Sequence, residues 1–128
     1  CIKKELNSVN LDSINESYNF FKTFYNIINN KYEKVLENGQ GFGAGLMVPT
    51  LCYHLPLINN LSFICDQNES KYDSRFINLT PVIKPISNLN LDEPLIITAI
   101  STKYASRAIF NYLVSHGIKD IIVPLPKL

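Results

Sequence analysis

Gly41-Phe42-Gly43-Ala44-Gly45-Leu46-Met47-Val48, continued by Pro49-Thr50-Leu51, is the stretch whose reading decides the fold. It reads as a very short strand, a glycine-rich turn and the first turn of a helix. Glycines at such a junction let the backbone take positive φ and approach a ligand closely. The helix behind them offers free N–H groups and the positive end of its dipole, which suits a phosphate. Gly43-x-Gly45-x-x-Val48 follows the dinucleotide fingerprint only in part, because Val stands at its third position. Asn38-Gly39-Gln40 ahead of it is polar where a buried first strand should be apolar. A phosphate or nucleotide site and a tight turn that binds nothing are both open on these residues.

Outward from that stretch, 128 residues at 46% hydrophobic content imply one domain with a real core. No apolar run is long enough to span a bilayer. The net charge of +1 is built from interspersed acids and bases, which excludes a nucleic-acid footprint or a membrane-binding basic face. Cys1, Cys52 and Cys65 are too few and too scattered for a zinc cluster or a disulfide framework. Cys52 and Cys65 lie in apolar segments and are expected as buried free thiols in a reducing, cytoplasmic compartment. No signal peptide is visible. A chain that starts at Cys1 rather than Met is expected to be an excised domain.

Residues 1–10 read as a polar tail or linker, and residues 11–128 as a single domain. A first helix is expected from Asp12 or Ser13, where Ser13-x-x-Glu16 forms a capping-box pattern. Leu11, Ile14, Tyr18, Phe21, Tyr25, Ile28, Tyr32 and Val35 then recur at alternating spacings of three and four, one continuous apolar stripe. Phe20, Phe24 and Ile27 make a second row beside it. A face this broad suits a core helix with a wide apolar side; the alternative is that part of it packs on a partner domain or a second copy. A coiled coil is disfavoured, because aromatics crowd its seam positions.

After the Asn38-Gly39 stop, a strand of Gly41 to Gly43 plus a neighbour or two leads into a helix from about Leu46 to Leu55, closed by Pro56. Leu61 to Cys65 is an apolar run of strand length ending in Asp66. Asp66 follows Gly45 by 21 residues, near the offset at which dinucleotide folds place an acid on a ribose hydroxyl. The same Asp also suits the start of a turn. Gln67 to Asn78 reads as a surface loop, and Pro81 to Ile86, bracketed by prolines, as an edge strand. Leu95 to Ile100 is apolar on both faces, as a central parallel strand should be. Ser101 or Thr102 can cap a last helix running to about His116, with Ala105, Ala108, Ile109, Tyr112 and Leu113 inward and Gly117 as its stop. Ile118 to Val123 is the last strand, and Pro124-Leu125-Pro126 ends the domain. Alternating strands and helices imply an α/β, Rossmann-like three-layer domain with a mostly parallel sheet of about four or five strands and a long N-terminal helix.

Catalytic groups are not expected here. His54 is read as a partly buried helix-end residue and His116 as a cap on the last helix. There is no Gly-x-Ser-x-Gly elbow, metal-ligand cluster or Walker loop.

Gly41-Phe42-Gly43-Ala44-Gly45, the helix ending in Tyr53-His54-Leu55, and Ile64-Cys65-Asp66-Gln67-Asn68-x-x-Lys71-Tyr72 together resemble the C-terminal domain of sugar C-methyltransferases, over about residues 12–126. These S-adenosylmethionine-dependent enzymes methylate nucleotide-linked deoxysugars. Gln67 stands where that family has a second acid and Glu69 where it has proline. The resemblance implies a domain that is not catalytic alone and helps to hold the nucleotide sugar. Gly43, Ala44, Gly45, Asp66, Asn68 and Lys71 are then its candidate contacts. It places S-adenosylmethionine, and a zinc-binding region, in upstream domains, with no cofactor in this stretch. The aromatic first helix would pack on the methyl-donor domain, a homodimer being the other use of that face. Two rivals share the loop and the strand-end Asp. One is a dinucleotide (NAD)-binding regulatory module, against which Val48 and the polar first strand count. The other is the nucleotide-sugar-binding domain of a sugar acyltransferase, which should be followed by hexapeptide repeats and lacks the long first helix. A scaffold with a vestigial pocket is the non-binding alternative.

Overall fold

The computed structural model describes the backbone of residues 2–99 and 103–124, with side chains at 16, 18–99 and 107–124. Among them run α1 (Ile2–Tyr32), β1 (Gln40–Phe42), α2 (Val48–His54), β2 (Phe63–Cys65), β3 (Val82–Lys84), β4 (Leu95–Ile97), α3 (Lys103–Ser115) and β5 (Ile121–Ile122). The five strands form one sheet in the order β3-β2-β1-β4-β5, and every neighbouring pair is parallel. This is the expected α/β, Rossmann-like three-layer arrangement. The proline-bracketed segment is an edge strand, as its missing N–H groups require.

Period-two alternation splits the strands between two cores. Ile64, Ile83, Ile96 and Ile122 point to one face, where Leu36, Val48, Leu51, Leu55, Leu57, Ile58 and Leu61 cover them. Phe42, Cys65, Leu95 and Ile97 point to the other, under Leu113 and Ile118. Each central strand is buried on both sides, hence the continuous apolar runs.

β1 sits in the middle of the sheet, and its length limits its neighbours. Gly41 pairs with both Ile64 and Ile96. Upstream, the Gly39 amide is turned back onto the Leu36 carbonyl at 2.8 Å, and downstream Gly43 leaves the ladder at φ +107°. β2 and β4 therefore pair over three residues each, shorter than the apolar runs Leu61–Cys65 and Leu95–Ile100 suggested; Ile100 itself lies outside the described residues. β1 takes in the neighbouring Gln40, which is 1% exposed. Its amide is satisfied: Nε2 donates to the carbonyls of Asn90 (2.7 Å) and Glu93 (3.2 Å), and Oε1 accepts the Asn90 N–H (2.8 Å). A polar residue enters the core because the β3–β4 connection supplies its partners.

α1 differs most from expectation. It begins at Ile2, so residues 2–10 continue the helix instead of forming a non-helical tail, in keeping with good helix formers such as Lys3, Lys4, Glu5 and Leu6. The Ser13/Glu16 cap is interior to this helix and does not start it. Tyr25, Ile28 and Tyr32 pack on the core, and the Asn29 Oδ1 accepts the Leu57 N–H at 2.8 Å. The helix ends at Tyr32, so the inward place passes to buried Leu36, and Val35, counted in the stripe, is exposed. The side chains of Leu11 and Ile14 lie outside the described residues. α2 starts at Val48, with Pro49 in its first turn, and stops before Pro56. In α3 the residues Ser101 and Thr102 and the side chain of Ala105 lie outside the described residues. Leu113 is buried, and Ile109 and Tyr112 are half-buried; Ala108 is exposed, not inward. Five residues from Leu113, Ala108 falls about 140° around the helix. Gly117, at φ +92°, ends α3: its N–H donates to Val114 O (3.0 Å) and the Ile118 N–H to Leu113 O (3.2 Å), with Leu113 and Ile118 packed together.

Candidate functional site

The loop after β1 and the segment after β4 leave the sheet side by side at its carboxyl end. The chain turns from β1 towards β2 and β3, then crosses back to β4 and β5, so the topological switch point lies between β1 and β4. Open parallel sheets bind ligands there. Gly43 makes the turn possible. Its N–H donates to Cys65 O (2.8 Å), and a Cβ built on it would lie 2.3 Å from the Ala99 Cβ. Thr98, wholly buried, seals the other side: its Oγ1 donates to the carbonyls of Phe42 (3.0 Å) and Gly43 (2.6 Å).

The candidate residues converge around this turn. One oxygen of Asp66, Oδ2, accepts the Ala44 N–H at 2.7 Å. The other, Oδ1, accepts the Asn68 N–H at 2.8 Å, which starts an Asx turn at the end of β2. Asn68 Oδ1 then accepts the Ser70 N–H (3.1 Å) and hydroxyl (2.7 Å), capping the short 3₁₀ turn Glu69–Lys71. That turn delivers Lys71, whose Nζ donates to Ala44 O at 2.8 Å. Asp66 and Lys71 thus grip both backbone polar groups of Ala44, a carboxylate on the N–H and an ammonium on the carbonyl. Charge-assisted bonds of this kind are about twice as strong as neutral ones.

Two consequences follow for ligand chemistry. The Ala44 N–H is engaged by Asp66, so it is not a free phosphate donor, and both Asp66 oxygens face backbone. Among the described residues no acceptor meets the N–H groups of Gly45, Leu46 and Met47, and Leu46 is 94% exposed. Gly45 has open space about its Cα. The rim available to a ligand is therefore Gly45 to Met47, with Asn68 and Lys71 behind it, rather than Gly43 and Ala44 themselves. Thr98, Ala99 and Gln40 escaped the sequence reading. A Thr inside an apolar run and a Gln beside a glycine are the faint marks they leave.

The histidines lie apart. His116 Nδ1 is 2.9 Å from Tyr112 O, with its ring 4.2 Å from the Tyr112 ring, in keeping with a capping role. His54 is exposed, not partly buried, and stacks on Tyr25 with centroids 5.7 Å apart. Among the described residues no group of three or more His, Cys, Asp or Glu is placed to hold a metal ion, and no helix is long and apolar enough to cross a membrane.

Cys52 and Cys65 are both free thiols; Cys65 is buried as expected, whereas Cys52 is only half-buried. Cys1 lies outside the described residues. Cys65 Sγ donates to Pro85 O at 3.2 Å. Burial, and secondarily the neighbouring Asp66 carboxylate, push its pKa up from 9.0 to about 12. The folded state therefore holds this proton more tightly than the unfolded chain does. That contribution is complete below pH 9.0 and is lost as pH rises towards about 12. Alkaline titration of the unfolding midpoint should show this fall, and Cys65→Ala should flatten it. At about pH 8, iodoacetamide should leave Cys65 unmodified until denaturant is added, since the thiolate is the reactive form. Labelling of native Cys65 at the rate of a free thiol would contradict the burial.

Compared with protein-family models, curated proteins and solved structures, the chain matches none.

Proposed function

We propose that this domain holds a nucleotide-linked sugar for a S-adenosylmethionine-dependent methyltransferase-like protein and is not catalytic alone. The observation that carries the reading is the clip on Ala44. Asp66 and Lys71 reach across from the end of β2 to fix the glycine loop beside the switch point, and the Asn68 N–H holds the second oxygen of Asp66. A loop so held presents the Gly45–Met47 N–H groups in one conformation, which lowers the ordering cost of binding an anionic or hydroxyl-rich ligand. Gly43 and Ala44 then shape the loop, and Gly45, Asn68 and Lys71 stand closest to the ligand. The methyl donor, and any zinc, belong to other domains of the parent protein, which works in the cytoplasm where its thiols stay reduced.

The dinucleotide reading is weaker. It needs the strand-end acid to meet a ribose, and Asp66 is turned back onto Ala44 and Asn68.

Thermal-shift titration with dTDP- and UDP-sugars, NAD, NADP and S-adenosylmethionine tests this, because a ligand of the folded state raises the midpoint with its concentration. Nucleotide sugars are expected to raise it, and the rise should vanish in Asp66→Ala. That variant loosens the loop, so each shift is measured from the variant's own ligand-free midpoint. A rise with NAD alone would overturn the assignment in favour of the dinucleotide module.

A further inference from the structure

We infer that an open cavity at the amino end of the sheet is a second binding site, for a small zwitterion of the α-amino-acid class. It has a volume of about 520 Å³ and lies at the opposite end of the strands from the glycine loop. Three segments wall it: Glu37 and Asn38 ahead of β1, Asn60 and Ser62 ahead of β2, and Arg75 and Thr80 beside the start of β3. These walls are tied to one another. The Asn38 N–H donates to Asn60 O (2.9 Å), the Ser62 hydroxyl to Asn38 O (3.0 Å) and the Ser62 N–H to Gly39 O (2.9 Å). On the far side Asn59 Oδ1 accepts the Thr80 N–H at 2.7 Å. The backbone of Arg75 is fixed by its antiparallel bridge to Val82 and by the bond from the Ile83 N–H to Ser74 O (2.9 Å). A space framed in this way keeps its shape without a ligand, which lowers the ordering cost of filling it.

The backbone of these segments is used up in framing the cavity, and the side chains are not. Among the described residues the Arg75 guanidinium, the Glu37 carboxylate, the Asn60 amide and the Thr80 hydroxyl meet no hydrogen-bond partner. Arg75 and Glu37 are the one cation and the one acid of the lining, and no ion pair joins them; the ion pairs among the described residues are Lys84–Asp73 and Lys119–Asp92. An anion alone would sit on Arg75 with Glu37 opposing it, and a cation alone would be opposed by Arg75. A ligand that carries both charges satisfies both. With about 2.8 Å of charge-assisted bond at each end, an α-amino acid spans about 8 Å, within the roughly 10 Å width of a rounded space of about 520 Å³. The guanidinium fork takes the carboxylate through two parallel bonds, and Glu37 takes the ammonium. The Asn60 amide and the Thr80 hydroxyl then suit a small polar side chain.

Amide-resolved NMR titration of the chain with L-serine tests this, with acetate and methylammonium as probes that carry one charge each. L-Serine is expected to shift the amides of Asn38, Asn60, Ser62 and Thr80 together and to saturate in the millimolar range, as exposed charges allow. Acetate and methylammonium should each bind about fivefold more weakly or worse, and so should L-serine to Arg75→Gln or Glu37→Gln. Both variants keep the side-chain size, and their own spectra report that the fold is intact. No saturable shift with L-serine overturns the inference. Acetate binding as tightly as L-serine overturns the zwitterion, and binding indifferent to both variants overturns the site. Asp66→Ala, at the other end of the sheet, should leave L-serine binding unchanged, so this site and the glycine loop stand or fall separately.

Discussion

Gly43→Ala is expected to lower the unfolding free energy by about 3–5 kcal/mol, while Gly45→Ala stays within about 0.5 kcal/mol of the parent. Two costs add at Gly43. Its φ of +107° is a conformation that a residue with a Cβ adopts only under strain of about 1–3 kcal/mol. The new methyl would also meet the Ala99 Cβ at 2.3 Å and the Ala99 nitrogen at 2.9 Å, so backbone must move, an overpacking cost of similar size. Gly45 lacks both features: its φ is not in the positive region, and nothing lies within 4 Å of a built Cβ. Urea unfolding of both variants checks the pair. A loss below about 1 kcal/mol at Gly43 would mean that the β4 end yields easily, and that the close approach of loop and strand is not needed for stability.

Gln40→Leu should cost about 2–3 kcal/mol although it places an apolar side chain in an apolar core. Leucine fills most of the space, so the loss comes from what Gln40 serves. The Asn90 N–H and the carbonyls of Asn90 and Glu93 lose their partners together. Those groups border solvent, which keeps the cost below that of a fully buried network. The connection between β3 and β4 should loosen with it, so amide hydrogen exchange at Asn90 should quicken more than at the β1 amides. Unchanged exchange at Asn90 would show that the side chain is not what anchors that loop.

The candidate site was partly legible because its residues are close to structural elements that announce themselves. A glycine-rich turn that opens a helix, and an Asp at the end of an apolar run, mark the carboxyl ends of two strands. Lys71 was reachable only through the family resemblance, for nothing in the local pattern of Asn68-Glu69-Ser70-Lys71 says that its ammonium turns back to Ala44. Thr98 was invisible for a related reason. A hydroxyl in a strand is read as tolerated, and its two carbonyl partners lie 55 and 56 residues away.

Periodicity and punctuation by themselves determined the layer order, the edge position of the proline-bracketed strand, the glycine stop of α3 and the parallel character of the sheet. Those depend on local rules: alternating burial, missing N–H groups, and positive φ that only glycine takes freely. Tertiary structure alone decided the rest. Pairing with a three-residue central strand cut its neighbours short, because a ladder ends where its partner leaves it. The β3–β4 connection let Gln40 into the core by supplying its hydrogen bonds. The direction of Asp66 was settled by which backbone amide came within 2.7 Å of it, and that amide belongs to a residue 22 positions earlier. A carboxylate's spacing in sequence shows where it stands, and only the neighbours brought in by folding determine what it can still bind.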